Sequence, residues 1–229
     1  MDQEGLPVGA PLPDWKPCAR PGRHELIGRS CRLEPLAAER HAADLFEAYA
    51  VDAAGIGWTY LPYGPFDSVD AFGSWVADMC SRDDPLFFAI LDGSGVAVGV
   101  ASYLRINPEM GSIEVGHIHF SPVLQRTVEA TEAMYLMARR AFDELGYRRY
   151  EWKCDDLNAP SRRAAGRLGF VYEGTFRQDR IYKGRNRDTA WYSIIDGEWP
   201  AVRAAFEAWL EPANFDSKGR QLTSLSTPK

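Results

Sequence analysis

Cysteine is scarce and scattered in this chain. Cys18, Cys31, Cys80 and Cys154 are the only four in 229 residues, and no two have CxxC spacing, which excludes a zinc knuckle and a disulfide framework. They read as reduced thiols, and no metal is expected. Long apolar runs are missing as well: none approaches the roughly 20 residues that cross a bilayer. Residues 1–4 are acidic and lack the basic start and apolar stretch of a secretory signal. The expectation is a protein of the cytoplasm with no membrane partner. Basic residues are in deficit, 26 Lys and Arg against 32 Asp and Glu, for a net charge of -6. That sign argues against a nucleic-acid partner, whose phosphates call for a basic surface that releases counterions. No internal repeat or low-complexity tract is evident.

What is present is the balance of a folded protein, with 45% apolar and 25% charged residues. A chain of this length forms one domain that buries roughly 70% of its unfolded surface. Residues 1–22 hold five prolines and three glycines and read as an extended arm. Residues 212–229 read as a polar tail, leaving 23–211 as the domain. Within it the periodicities predict a strand over 26–36, a helix over 37–50 and a helix over 68–80 with Phe72, Trp75, Val76 and Met79 on one face. A hairpin over 87–91 and 96–104, a strand over 113–120 and a helix over 130–145 follow. Strands over 149–154, 170–182 and 189–195, with helices over 158–168 and 199–210, complete an α+β order: a mixed, mostly antiparallel sheet flanked by helices, the long helix bridging two parallel strands. The segment 55–66 (GIGWTYLPYGPF) is too rich in Gly and Pro for a regular element and too aromatic for open water. It reads as a structured loop that packs on the core or binds a substrate.

The chemistry concentrates in NAPSRRAAGRLGF, residues 158–170. Asn158 is a natural N-cap, Pro160 is tolerated in the first turn and Gly169 ends the helix. Asn-x-x-Ser followed eight residues later by Gly169-Phe170 resembles motif B of the RimJ/RimL-like branch of the GNAT acetyltransferases, and Glu173-Gly174 and the basic run to Arg187-Asp188 are similar to the same branch. Upstream, Ile113-Glu114-Val115-Gly116, Ser121-Pro122 and Ala130-Thr131-Glu132-Ala133 resemble that family's acyl-CoA segment.

The resemblance implies a GNAT-like fold and transfer of the acetyl group of acetyl-CoA to a primary amine of a protein N-terminus or small molecule. It also leaves room for a larger donor such as succinyl-CoA, a non-catalytic acyl-CoA-binding module, and a homodimer formed through an exposed strand or the terminal arms. By the same resemblance, backbone at Gly116, His117 and Ile118 contacts the thioester carbonyl. Gln125, Arg126, Thr127, Val128, Ala130 and Thr131 cradle the pyrophosphate, and Asn158 and Ser161 hold the pantetheine and sulfur end, with Ser161 as proton donor. The tyrosine that many members carry seven residues after the asparagine is here Ala165. Val128 stands where the family loop has glycine, which narrows the backbone's approach to phosphate. Glu129 competes for the helix dipole, and Arg126 compensates. For the base, Glu114, His117 and His119 are candidates. Strand alternation separates Glu114 from the histidines unless a bulge resets the register. Gly116 either marks that bulge or relieves crowding.

Overall fold

The computed structural model describes residues 5–227; the acidic start, residues 1–4, lies outside them. Among the described residues eight strands form one sheet: β1 (Leu26–Ile27), β2 (Arg32–Pro35), β3 (Leu86–Leu91), β4 (Ala97–Asn107), β5 (Ser112–Phe120), β6 (Arg149–Asp155), β7 (Val171–Tyr182) and β8 (Arg185–Ile195). Their order is β1-β2-β3-β4-β5-β6-β8-β7. Every neighbouring pair is antiparallel except β5 with β6. Five α-helices cover it: α1 (Ala38–Ala50), α2 (Val69–Cys80), α3 (Val128–Arg139), α4 (Ala159–Arg167) and α5 (Trp199–Leu210).

Two apolar layers hold the sheet. One packs Tyr103, Met137, Tyr150 and Phe206 around α3 and α5. The other packs Leu45, Phe72, Val76 and Phe87 around α1 and α2. The expected strand over 26–36 is broken at residues 28–31, where Gly28 N donates to Cys31 O at 2.9 Å. A carboxylate from a distant helix organises this turn. Glu132 of α3 accepts from the N–H groups of Arg29 (2.8 Å), Ser30 (2.6 Å) and Cys31 (3.0 Å), a long-range bond that periodicity does not register.

The helix read as 130–145 begins two residues early, because Thr127 Oγ1 accepts from Ala130 N at 3.1 Å and caps it. It ends in a π-helical turn, Arg140–Glu144, and the chain then leaves through Gly146 at φ +75°. Buried Arg140 donates to the carbonyls of Gly22 and His24, both at 3.0 Å, and so ties the incoming arm to this turn. Strand β8 starts four residues earlier than the expected 189, because β7 and β8 continue as a hairpin to Lys183 (φ +48°) and Gly184 (φ +69°), a pair suited to a tight two-residue turn. At the other end of the chain Phe215 packs edge-on against Trp209 at 5.1 Å, and Leu225 is buried. No described helix is long and apolar enough to cross a membrane.

Candidate active site

Strands β5 and β6 run side by side only from Ser112↔Arg149 to Val115↔Trp152. Beyond that point β5 follows β4 while β6 follows β8 as far as Asp155↔Thr189, and the sheet opens into a wedge. The wedge is a cleft of about 380 Å³, with Gly116, His117 and Ile118 on one wall and Cys154, Asn158 and Ser161 on the other.

The bulge that the base question demanded is present, one residue later than expected. Pairing steps from Ser102↔Gly116 to Val100↔His119, so His117 and Ile118 together oppose Ala101, and His117 adopts φ +50°. Gly116 stays in the regular ladder, its carbonyl accepting from Ser102 Oγ at 3.0 Å. Its small size relieves crowding, since a Cβ there would approach Leu104 Cδ2 to 2.9 Å. The bulge brings Glu114 and His117 to one cleft. His119 is left out of it: its ring stacks on Tyr49 at 4.0 Å, meets Trp58 edge-on at 3.9 Å and is 6% exposed.

The two candidates that reach the cleft differ chemically. The Glu114 carboxylate is buried against Arg105 and against Lys153 Nζ at 2.9 Å. Lys153 also meets Glu151 at 2.7 Å and lies over the Trp191 ring at 3.7 Å. Glu114 is therefore committed to two cations. His117 Nδ1 is 3.1 Å from Tyr63 Oη, with the two rings stacked at 5.6 Å. Burial, reinforced by the guanidiniums of Arg105, Arg187 and Arg180, lowers its pKa to about 4, so the imidazole is neutral at pH 7. Tyr63 is itself pushed up by burial and stays protonated.

On the opposite wall Asn158 Oδ1 accepts from Ser161 N at 3.1 Å. Ser161 Oγ accepts from Trp152 Nε1 at 3.0 Å. The indole occupies a lone pair of the hydroxyl, whose own O–H lies within hydrogen-bonding reach of the Cys154 sulfur. Cys154, beside it, has its thiol pushed up by burial, which leaves no thiolate nucleophile. Ala165 is fully buried in the core, a place already filled by packing and closed to a tyrosine.

The loop entering α3 has the features of an anion seat. Arg126 is left-handed at φ +65°, and the backbone N–H groups of Arg126, Val128 and Glu129 have no partner among the described residues. The feared obstruction is redirected: the Val128 side chain packs against the core. The Glu129 carboxylate is close enough to Cys31 to help raise that thiol, behind burial and Glu132 as causes. Gln125 Nε2 donates to Phe120 O at 3.0 Å and bridges the loop, while Thr131 Oγ1 accepts from Arg167 at 3.1 Å. Gln125 and Thr131 are thus engaged structurally.

The aromatic segment packs on the core and also lines the cleft. Trp58, Tyr63 and Phe66 pack into the second core layer, while Gly57, Tyr60, Leu61 and Pro62 face the cleft. The β7–β8 hairpin closes over the same space, with Lys183 Nζ donating to Trp58 O at 2.8 Å. Sequence reasoning missed Arg105, Lys153, Arg180 and Arg187 as cleft residues, and Tyr63 as the partner of His117. The signal differed between them: Arg105 is the one charge in β4, whereas Lys153 is hidden among the alternating charges Arg149, Glu151 and Asp155 of β6.

A family model described as Acetyltransferase (GNAT) domain matches residues 31–171. No curated protein sequence gives a match. Among solved structures, a GCN5-related N-acetyltransferase from Brucella melitensis is 48% identical with a TM-score of 0.91, covering 93% of this chain and 97% of that one. A GNAT-family protein from Chromobacterium violaceum is 43% identical with a TM-score of 0.79, covering 86% and 98%. RimJ from Mycobacterium smegmatis, in complex with CoA-disulfide, shares the fold at 20% identity and a TM-score of 0.65, covering 78% and 88%. With a model spanning most of the domain and close relatives along nearly its whole length, the chain belongs to the GNAT family of N-acetyltransferases.

Proposed function

We propose that this protein moves the acetyl group of acetyl-CoA directly to a primary amine of a small molecule or a protein N-terminus, and that it belongs to the RimJ/RimL-like branch. The observation that carries the reading is the wedge between β5 and β6, which sets a neutral imidazole on β5 across from the Ser161 hydroxyl on α4. Acetyl-CoA supplies the activated thioester. The open N–H groups of Arg126, Val128 and Glu129 suit its pyrophosphate, and Asn158 Nδ2 is free to meet the pantetheine arm. The backbone N–H at the His117–Ile118 bulge polarises the carbonyl.

His117 is assigned as the base. As the amine adds to the carbonyl carbon, its N–H becomes far more acidic than in a free ammonium, and a neutral imidazole suffices to take the proton. The base role assigns the Nδ1 proton to the contact with Tyr63 Oη, which leaves Nε2 as the accepting lone pair. Glu114 neutralises Arg105 and Lys153 and is assigned a positioning role. Ser161 passes its proton to the departing thiolate and regains one, through solvent in the cleft, as the His117 imidazolium gives up the proton taken from the amine, so the protons balance. We assign catalysis to 23–211, with 1–22 as an arm and 212–229 as a tail, and place the protein in the cytoplasm, where its donor is made.

Isothermal titration with acetyl-CoA, followed by thiol release over an amine panel, tests this. Binding and release with at least one amine are expected, and Ser161→Ala should lower kcat about 10²-fold with acetyl-CoA binding retained. Binding without turnover of any amine would instead favour a non-catalytic acyl-CoA module. Preference for succinyl-CoA in the same titration would identify a larger donor.

A further inference from the structure

The cleft is electrically opposite to the molecule around it. Against a chain charge of -6, its lining carries four cations, Arg105, Lys153, Arg180 and Arg187, and two carboxylates, Glu114 and Asp155. Arg105 and Lys153 are answered by Glu114 and Glu151. Asp155 is held by Tyr182 Oη at 2.8 Å and Leu157 N at 2.9 Å. Arg180 leans on Asp179 at 3.3 Å near the surface. Arg187, half-buried, bonds Thr189 Oγ1 through Nε at 3.0 Å, and no carboxylate lies within ion-pair distance of it among the described residues.

Arg180 and Arg187 are moreover direct cross-strand partners in the β7–β8 ladder. Like charges directly opposite one another are destabilising; Asp179 meets Arg180, while Arg187 feels Asp155 only from beyond ion-pair distance, so Arg187 has no direct ionic partner among the described residues. The excess charge does not serve the pyrophosphate loop, since residues 125–131 do not line this cleft. The hairpin carrying both arginines is pinned by Lys183 to the Trp58 carbonyl, which anchors their backbone against the opposite wall of the cleft.

We infer that the acceptor is a small amine that also carries an anionic oxygen group, a carboxylate or a phosphate, seated between Arg180 and Arg187 at the hairpin end of the cleft. This rests on the amine-acetylation reading above and names its substrate class. Two arginine forks match the oxygens of either group with parallel charge-assisted bonds. Both guanidiniums also contribute to the low proton affinity of His117. An anion between them relieves that repulsion, so a correct acceptor strengthens the base that serves it.

The test uses matched pairs: an amino acid with its carboxamide, and an aminoalkyl phosphate with the corresponding amino alcohol. Equilibrium binding to the CoA-loaded protein and kcat/KM with acetyl-CoA are measured for each. In the wild type the anionic member of at least one pair is preferred by about 10- to 100-fold; which pair shows it separates carboxylate from phosphate. Arg187→Met, checked for folding by its melting curve, loses that preference mainly through KM. Arg187→Gln and Arg180→Gln provide second variants that retain polarity. Equal handling of charged and neutral members in both pairs overturns the inference, as does a preference that survives in all three variants. If the acetyltransferase reading alone is wrong, turnover is absent while the binding preference still appears, so the two failures are distinguishable.

Discussion

Replacing His117 by asparagine should lower kcat by about 10²- to 10⁴-fold, the usual worth of a positioned proton acceptor, while acetyl-CoA binding stays within a few-fold. Asparagine is chosen because residue 117 holds φ +50°, a left-handed conformation that asparagine tolerates better than most residues. The variant therefore keeps the bulge and removes the base. His117→Gly, equally free of strain, should regain part of its activity when imidazole is added, a response that a purely structural histidine would not give. A kcat within threefold of wild type in both variants would return the base to Glu114 or to solvent.

Acid should destabilise this fold well before its carboxylates titrate. His119 is almost wholly buried between Tyr49 and Trp58, and burial lowers its pKa to about 4, against a smaller opposing pull from Asp52. Because the folded value lies below the unfolded one, the unfolded chain binds more protons between about pH 6.5 and pH 4. The stabilisation is thus complete above the unfolded pKa and is lost as pH falls through that window. For His119 the loss is on the order of 3 kcal/mol, and His117 adds a loss of the same sign. Urea unfolding at several pH values between 7.5 and 4 measures the slope. His119→Phe keeps an aromatic ring and should flatten the slope by about the contribution of one histidine. An unchanged slope in that variant would show that other groups drive the acid transition.

Most of the fold was legible because its signals are local. Ser68, Asn158 and Gly169 punctuate helices by capping and left-handed geometry, and the 3.6-residue stripes of α2 and α3 need no partner to be read. The break at 28–31 was not legible, because it depends on Glu132, about a hundred residues away in the chain. The site divided in the same way. The cleft residues that a motif marks, Gly116, Asn158 and Ser161, could be found from their resemblance to family motifs. Choosing among Glu114, His117 and His119 required the bulge, since a one-residue offset in the ladder decides which side chains share a face. Arg180 and Arg187 lay in a basic run whose register against the opposite strand no linear pattern reveals.

The parting of β5 and β6 also has a mechanical side. The sheet consists of a five-stranded leaf and a three-stranded leaf stitched together by four residue pairs at one end, Ser112↔Arg149 to Val115↔Trp152. On either side the stitching runs further, β4 with β5 to Phe120 and β6 with β8 to Asp155. Any movement that widens the mouth must flex the protein along this short seam, with Lys183 and the Trp58 carbonyl as the clasp on the far side.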